Sequence, residues 1–105
     1  MLESEIERKL TDKVKELGCG VRCLKFVSPG FTGVPDRIIL LPGAHVMFVE
    51  LKQPGKKERK RQEYVQSLLR SLGFEVYSAV QTMEQIETVI HRCREVLELE
   101  GFYTA

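Results

Sequence analysis

Apolar residues recur at helical spacing through the first seventeen positions of the chain. They are separated by four, four, four and three residues, the period of one face of an α-helix, and are Leu2, Ile6, Leu10, Val14 and Leu17. Gly18 and Gly20 follow directly and are typical of a helix end. The pattern predicts an amphipathic helix over residues 2–17 with one buried face.

The central part of the chain has the pattern of strands. Val21–Val27 alternates loosely and leads into a loop, residues 28–35, that contains glycines and prolines. Asp36–Leu41 and His45–Lys52 are apolar runs on either side of Pro42-Gly43-Ala44, which predicts a β-hairpin. Because both runs are apolar at odd and at even positions, we expect central strands that helices cover on each side.

The remaining sequence predicts a helix, a strand and a last helix. Gln53–Arg61 is a polar, basic linker, after which apolar residues between Tyr64 and Leu72 have helical spacing up to Gly73. Phe74–Val80 is the fourth predicted strand. Thr82 and Gln85 form a capping-box pattern ahead of a helix whose apolar face extends to Leu97. The predicted order is αβββαβα in one domain over residues 1–105, with residues 98–105 unassigned.

Composition and charge narrow the class of protein. The 105 residues are 43% hydrophobic and carry a net charge of +1, so a globular core is expected and any nucleic-acid affinity must come from a local patch. No apolar run approaches the ~20 residues that cross a bilayer, and the charged N-terminus differs from a signal peptide. We therefore expect a soluble, cytoplasmic protein. Cys19, Cys23 and Cys93 lack a second ligand pair at zinc spacing, so reduced, partly buried thiols are expected.

The hairpin places two acids opposite each other. If the turn is symmetric about Gly43, Ile38 pairs with Phe48 and Asp36 pairs with Glu50. Opposed like charges destabilise a sheet unless something compensates them, and Lys52 or a divalent cation with oxygen ligands would do so. A bulge or an asymmetric turn would break this pairing. Taken singly, each charged residue also fits an ordinary place at a solvated strand end.

The surrounding residues resemble a known family. Pro35-Asp36, followed by Glu50-Leu51-Lys52, is similar to the P-D…(D/E)-x-K signature of the restriction-endonuclease-like nuclease superfamily. Residues 25–30, 33–37 and 48–52 together with Gln62 resemble the VRR-NUC branch, over about residues 3–82. The resemblance implies an α/β fold, with an αβββαβ core whose mixed central sheet is flanked by helices and one extra C-terminal helix. It also implies a metal-dependent phosphodiesterase, and small stand-alone members look like junction-resolving nucleases of phage or bacteria.

The family's site residues transfer to matching positions. By this resemblance, Asp36 and Glu50 hold Mg²⁺ or Mn²⁺, and the backbone carbonyl of Leu51 is a further ligand. Lys52 positions or deprotonates the attacking water and stabilises charge on the phosphate.

The family also places a glutamate on the first helix, eleven residues before the glycine that ends it. This spacing selects Glu7 ahead of Gly18, with Glu3 and Glu5 as the alternatives. Glu3 and Glu7 lie on one side of the helix with its apolar residues, and Glu5 does not. Alternatively, Glu7 is simply a first-turn acid that the helix dipole stabilises, with no part in a metal site.

Gln62, eleven residues before Gly73, matches a family glutamine near the metal and the scissile phosphate. The adjoining segment carries one acid, Glu58, and six basic residues: Lys52, Lys56, Lys57, Arg59, Lys60 and Arg61. Beside a helix N-terminus, such a patch favours phosphate binding over a merely solvated loop. The weaker candidates for contacts with the DNA backbone are Lys25, Arg37 and Tyr64.

The sequence leaves several functions open. The first is an endonuclease for four-way junctions, acting as a homodimer because two symmetric cuts need two sites. Alternatives are a flap or general DNA nuclease, a non-catalytic nucleic-acid-binding module, and a protein-interaction domain. The last helix and the Phe102-Tyr103 tail are candidate interface material, although that helix can instead cover the sheet.

Overall fold

A computed structural model describes residues 1–102 and gives the element order αβββαβα. The elements are α1 (Glu3–Leu17), β1 (Arg22–Lys25), β2 (Arg37–Leu41), β3 (His45–Leu51), α2 (Lys60–Ser71), β4 (Glu75–Val80) and α3 (Met83–Leu99). The predicted order is confirmed, and the last helix extends two residues beyond Leu97. Thr82 caps α3 by accepting a hydrogen bond from the Gln85 amide, as the capping-box pattern predicted. Tyr103, a candidate interface residue, lies outside the described residues.

The four strands form one mixed sheet in the order β1-β2-β3-β4. The first two pairings are antiparallel and the third is parallel. In the hairpin, Ile38 lies opposite Phe48 and Leu40 opposite Val46, which confirms the predicted register. Three residues, Pro42–Ala44, form the turn, with positive φ at Gly43 and Ala44, and the pairing of β2 with β3 continues from the Leu41–His45 pair without a bulge.

The core lies on the sheet face that α1 and α3 cover. Ile6, Leu10 and Val14 of α1 are buried there, which explains their helical spacing. Alternate strand residues such as Ile39 and Met47 point into the same core, because side chains along a strand alternate between the two faces. The apolar residues of α3 complete the core: Ile86, Val89, Ile90, Cys93, Val96 and Leu97. This helix therefore covers the sheet, and these residues are not available as an interface.

The opposite face differs from the prediction that helices cover it fully. The helix on that side, α2, packs against β4 and leaves Leu24 of β1 46% exposed and Leu40 of β2 37% exposed. Phe48 of β3 is covered by aromatic rings, with centroids 5.7 Å away at Phe26 and 5.3 Å away at Phe74. Loop and strand-end aromatics thus bury an apolar residue where a second covering helix was expected.

The pairing of β3 with β4 is irregular near the end of β3. Val49 pairs with Tyr77 and Leu51 with Val80, so β4 contributes one extra residue to this stretch. Ala79 adopts φ 52°, a conformation rare for a residue with a side chain. Bulges of this kind change the direction of side chains and are frequent beside active sites. Beyond the bulge, the Lys52 amide donates a hydrogen bond to the Val80 carbonyl, which fixes the chain where it leaves the sheet.

No helix within residues 1–102 combines the length and the hydropathy that crossing a membrane requires.

Candidate active site

Two carboxyl groups meet where β2 begins and β3 ends. The Asp36 carboxylate accepts a hydrogen bond of 2.8 Å from the Leu51 amide, and the Asp36 and Glu50 carboxyl groups are within hydrogen-bonding reach of each other. Both residues belong to the sheet face that α2 borders, since they alternate with residues of the α1–α3 core. The hairpin register therefore brings together the two acids that the sequence placed opposite each other.

Burial dominates the electrostatics of Glu50. Its side chain is 2% exposed, and its Oε2 atom is buried with no hydrogen-bond donor among the described residues. Burial, then a hydrogen bond with the Asp36 carboxyl and the negative charge of Asp36, raise the pKa of Glu50 to about 9, against a smaller opposing effect of Lys52. At neutral pH the metal-free pair therefore holds a proton. A proton on this carboxyl, or a bound cation, would satisfy the otherwise unpartnered Oε2.

Gln62 links the Glu50 carboxyl to the Lys52 ammonium. Its amide nitrogen donates to Glu50 Oε1 over 3.3 Å, and its amide oxygen accepts from Lys52 Nζ over 3.0 Å. The same oxygen accepts a hydrogen bond of 3.0 Å from the Arg59 amide, which fixes the side chain in the first turn of α2. Lys52 thereby lies beside Glu50 without a direct ion pair to it.

Glu7 lies elsewhere. Its carboxylate accepts a hydrogen bond of 2.9 Å from Arg37 Nε, and both side chains are partly buried between α1 and β2. Arg37 is on the α1 face of β2, since it alternates with Ile38 and Asp36. In residues 1–102, no three His, Cys, Asp or Glu side chains lie close enough to hold one metal ion. The structure thus unites Asp36, Glu50, Lys52 and Gln62, and leaves Glu7 bound to Arg37.

The basic segment before α2 and in its first turn is exposed. Lys56, Lys57 and Lys60 face solvent beside the site, and Lys25 is exposed on the edge strand β1. Arg61 is also exposed, but its guanidinium lies 4.5 Å from the Phe31 ring centroid and donates to a loop carbonyl. Among the residues predicted to bind DNA, Arg37 and Arg61 have side-chain partners. No side-chain partner is seen within residues 1–102 for the four lysines of the set, Lys25, Lys56, Lys57 and Lys60.

A buried polar network next to the site was not predicted. Gln66 is 2% exposed, donates to Glu58 Oε1 over 3.0 Å and accepts a hydrogen bond from the Ser78 hydroxyl. The Ser78 hydroxyl also accepts from Arg70, which donates to the Val76 carbonyl as well. Glu58, held by this network, adds to the rise in the pKa of Glu50. The spacing of four between Gln62 and Gln66 was the available signal, because it places both amides on one helix face.

The thiols and histidines lie outside the site. All three cysteines are free, and burial raises the pKa of Cys23 to about 11 and that of Cys93 to about 12. His45 at the start of β3 pairs with Glu100 at the end of α3, and the His91 side chain is 76% exposed on α3. The expectation of reduced, partly buried thiols agrees with this arrangement.

Solved structures share this architecture. A structure described as "VRR_NUC domain" superposes with a TM-score of 0.73 at 22% identity, covering 96% of this chain and 97% of its own. A second, "VRR_NUC domain protein", gives a TM-score of 0.70 at 19% identity over 94% and 90% of the two chains. The fold is therefore that of the VRR_NUC class.

A curated relative identifies the family at the level of sequence. "Putative nuclease p44" of Acyrthosiphon pisum secondary endosymbiont phage 1 is 43% identical over 74 residues, which span 70% of this chain and 77% of the relative. No model of a protein family matches the chain. The chain therefore belongs to the same family as this phage relative, and its fold is that of the VRR_NUC structures.

Proposed function

We propose that this chain is a metal-dependent endonuclease that hydrolyses phosphodiester bonds in structured DNA, with the four-way junction as its substrate. The observation that carries the proposal is the pairing of the buried Glu50 with the part-buried Asp36, with Lys52 and Gln62 beside them. A chain that only bound nucleic acid would gain nothing from two carboxylates beside phosphates that they repel. The nuclease name of the 43% identical phage relative supports the same chemistry.

The residues of the pair fit a hard divalent cation, Mg²⁺ or Mn²⁺. Glu50 Oε2 is buried without a donor, and two adjacent carboxyl groups form an oxygen-rich site that a cation would neutralise. Asp36, Glu50 and the Leu51 carbonyl would hold the ion, with water completing its shell. Glu7 is a further ligand only if it leaves Arg37, to which it is bound. A bound ion supplies positive charge at the scissile phosphate and lowers the pKa of a coordinated water.

The chain's own groups supply the other requirements of the reaction. Lys52 carries a positive charge beside the acids and can hydrogen-bond the attacking water or a phosphate oxygen. Gln62 fixes the Lys52 ammonium at 3.0 Å and the Glu50 carboxyl at 3.3 Å, so one amide sets the distance between them. Because α2 fixes Gln62 through the Arg59 amide, the arrangement exists before substrate binds.

The exposed lysines supply the nucleic-acid surface. Lys56, Lys57 and Lys60 lie in the stretch from the end of β3, where Glu50 is, to the first turn of α2, where Gln62 is. Contacts from these side chains to phosphates would orient DNA without reading its sequence. Lys25 extends the same charge along β1. Arg37 is occupied by Glu7 and is the weaker contact of the proposed set.

We infer a homodimer from the symmetry of the substrate. One carboxylate pair cuts one strand, whereas resolution of a four-way junction needs two cuts related by a two-fold axis. The buried apolar residues of α3 are used in the core; among the described residues at its end, Leu99 is 74% exposed and Phe102 is 50% exposed, and both remain for a subunit contact.

A substrate panel tests the proposal. Purified protein is incubated with labelled single-stranded, duplex, flap and four-way DNA in Mg²⁺ or Mn²⁺, beside an Asp36→Asn control. The account predicts cleavage that needs the metal, is strongest on four-way DNA and is lost in Asp36→Asn. Equal cleavage of all substrates would make the chain a general nuclease, and preferred cleavage of flaps would assign it to that class. DNA binding with no cleavage under any condition would leave only a binding module.

Subunit mixing tests the dimer. Sedimentation at micromolar concentration should give about twice the 12.1 kDa of one chain. The heterodimer formed by mixing wild-type and Asp36→Asn subunits should nick a cruciform plasmid on one strand, while wild-type dimers linearise it. A monomer that linearises the plasmid by paired cuts would contradict the two-site model.

A further inference from the structure

Arg61 connects the loop before β2 to the first turn of α2. Its Nε atom donates a hydrogen bond of 2.9 Å to the Thr32 carbonyl. Its guanidinium lies 4.5 Å from the Phe31 ring centroid and 5.1 Å from that of Tyr64, within the range of cation–π attraction. A single side chain on the helix thus holds two neighbouring residues of the loop.

The loop backbone packs directly on α2 at the same position. A Cβ added at Gly33 would lie 2.7 Å from Arg61 Cγ and 3.1 Å from the Arg61 carbonyl oxygen, so only glycine allows this approach. Gly33 also adopts φ +88°, which side chains disfavour. By contrast, a Cβ added at Gly30 would meet nothing within 4 Å. The loop is therefore fitted to α2 at Gly33 and free of close contacts at Gly30.

This contact lies between the two halves of the candidate site. Two residues after Gly33, the buried Pro35 leads into Asp36, whose carbonyl accepts a hydrogen bond from the Phe26 amide. One residue after Arg61, Gln62 holds Glu50 and Lys52. A shift of the loop relative to α2 would thus move Asp36 relative to Gln62.

We propose that Arg61 is a positioning residue: it fixes the distance between Asp36 on the loop side and Gln62 on the helix side. The proposal rests on the proposed nuclease function and assigns Arg61 a role other than the phosphate contact predicted from its charge. The Arg61 guanidinium already stacks near two rings and donates to a carbonyl. The neighbouring Lys60 is exposed and can contact DNA. Lysine cannot replace Arg61, because it lacks the planar guanidinium that stacks on a ring and donates from Nε.

Four variants separate positioning from charge. Arg61→Lys keeps the charge but cannot stack on the rings, and Gly33→Ala disturbs the same packing with no change in charge. Gly30→Ala is the matched control for the loop, and Lys60→Ala is the matched control for removal of a positive charge. Each protein is measured for DNA affinity in Ca²⁺, for the single-turnover cleavage rate at saturating protein in Mg²⁺, and for hydrogen exchange of amides 28–36.

Arg61→Lys and Gly33→Ala should both keep DNA affinity within about twofold and cleave at least about tenfold more slowly, since small misplacements of reacting groups have such effects. Their loop amides should exchange faster. Gly30→Ala should match wild type in all three readouts, and Lys60→Ala should lose DNA affinity without faster exchange of the loop amides.

The proposal is overturned if Arg61→Lys cleaves at the wild-type rate with unchanged loop exchange, or if it only loses affinity as Lys60→Ala does. If wild-type protein cleaves no DNA, the nuclease function fails, and hydrogen exchange still decides whether Arg61 fixes the loop. Faster exchange in Arg61→Lys and Gly33→Ala, but not in Gly30→Ala, would then support positioning. Unchanged exchange would refute it.

Discussion

Glu50 should make the stability of the metal-free protein depend on pH. In the fold, burial first and then the neighbouring Asp36 raise its pKa from an ordinary 4.5 to about 9. Below the ordinary value the carboxyl is protonated in both states and contributes no pH dependence. Between the two values the folded state holds one more proton than the unfolded chain, so the free energy of unfolding falls as pH rises. Above about pH 9 the contribution becomes flat again.

The expected size follows from one group with a 2% exposed side chain. One proton of difference gives a slope of at most about 1.4 kcal/mol per pH unit. From pH 6 to pH 8 the protein should thus lose about 2 to 3 kcal/mol, a large part of the roughly 5 to 15 kcal/mol that a domain has. Glu50→Gln replaces the protonated carboxyl by a neutral amide of similar shape and should lack this slope.

Urea unfolding followed by circular dichroism at pH 6, 7 and 8 in EDTA measures the effect. Wild type is compared with Glu50→Gln and with Glu63→Gln, which changes an exposed acid on α2. His45 and His91 are present in all three proteins, so their contributions cancel in the differences. Adding Mn²⁺ at pH 8 should restore stability to wild type and not to Glu50→Gln, since the ion binds only the folded pair. Equal pH slopes in wild type and Glu50→Gln would refute the assignment.

Three further outcomes are expected. Neutralising the exposed lysines should weaken binding to all DNA sequences alike and lower the salt slope by about 0.9 for each phosphate that is no longer neutralised. The lysines to neutralise are Lys56, Lys57 and Lys60, and an unchanged salt slope would show that their segment is merely solvated. Gln66→Ala should cost about 1 to 3 kcal/mol in urea unfolding, because it leaves buried polar partners unsatisfied, and a loss below about 0.5 kcal/mol would contradict this. Burial raises the pKa of Cys23 to about 11 and that of Cys93 to about 12. A disulfide reagent at pH 8 should therefore modify these two thiols at least about tenfold more slowly in the native protein than in urea. Equal rates of modification would contradict this.

The element order and the hairpin register were predictable because both depend on local patterns. A turn centred on Gly43 fixes which residues face each other, so the Asp36–Glu50 pair followed from counting along the chain. The helical spacing of Ile6 and Leu10 identified the buried face of α1 in the same way.

The missed features depend on contacts between distant segments. An apolar residue at Phe48 indicates burial but does not say that Phe26 and Phe74 supply it in place of a helix. The bulge at Ala79 has no sequence signal, since alanine is not a residue that favours positive φ. Likewise, Arg61 was interpreted from its charge, whereas its neighbours Phe31 and Thr32 become visible only in the fold.

The Glu7 prediction shows the same limit. Helix periodicity placed Glu7 correctly on the side of α1 that faces the sheet. It could not reveal that Arg37 binds the carboxylate there, because that depends on which face of β2 meets α1. Its role as a metal ligand stays a prediction.

Cleavage by Glu50→Gln tests the central claim most directly. Single-turnover cleavage of labelled four-way DNA in Mn²⁺ is measured at saturating protein, with DNA affinity measured in parallel for wild type and variant. The account predicts metal-dependent cleavage by wild type, none by Glu50→Gln, and retained DNA binding by the variant, because the exposed lysines proposed to meet the phosphates are unchanged. Cleavage by Glu50→Gln at the wild-type rate would contradict the assignment of the Asp36–Glu50 pair as the catalytic metal site.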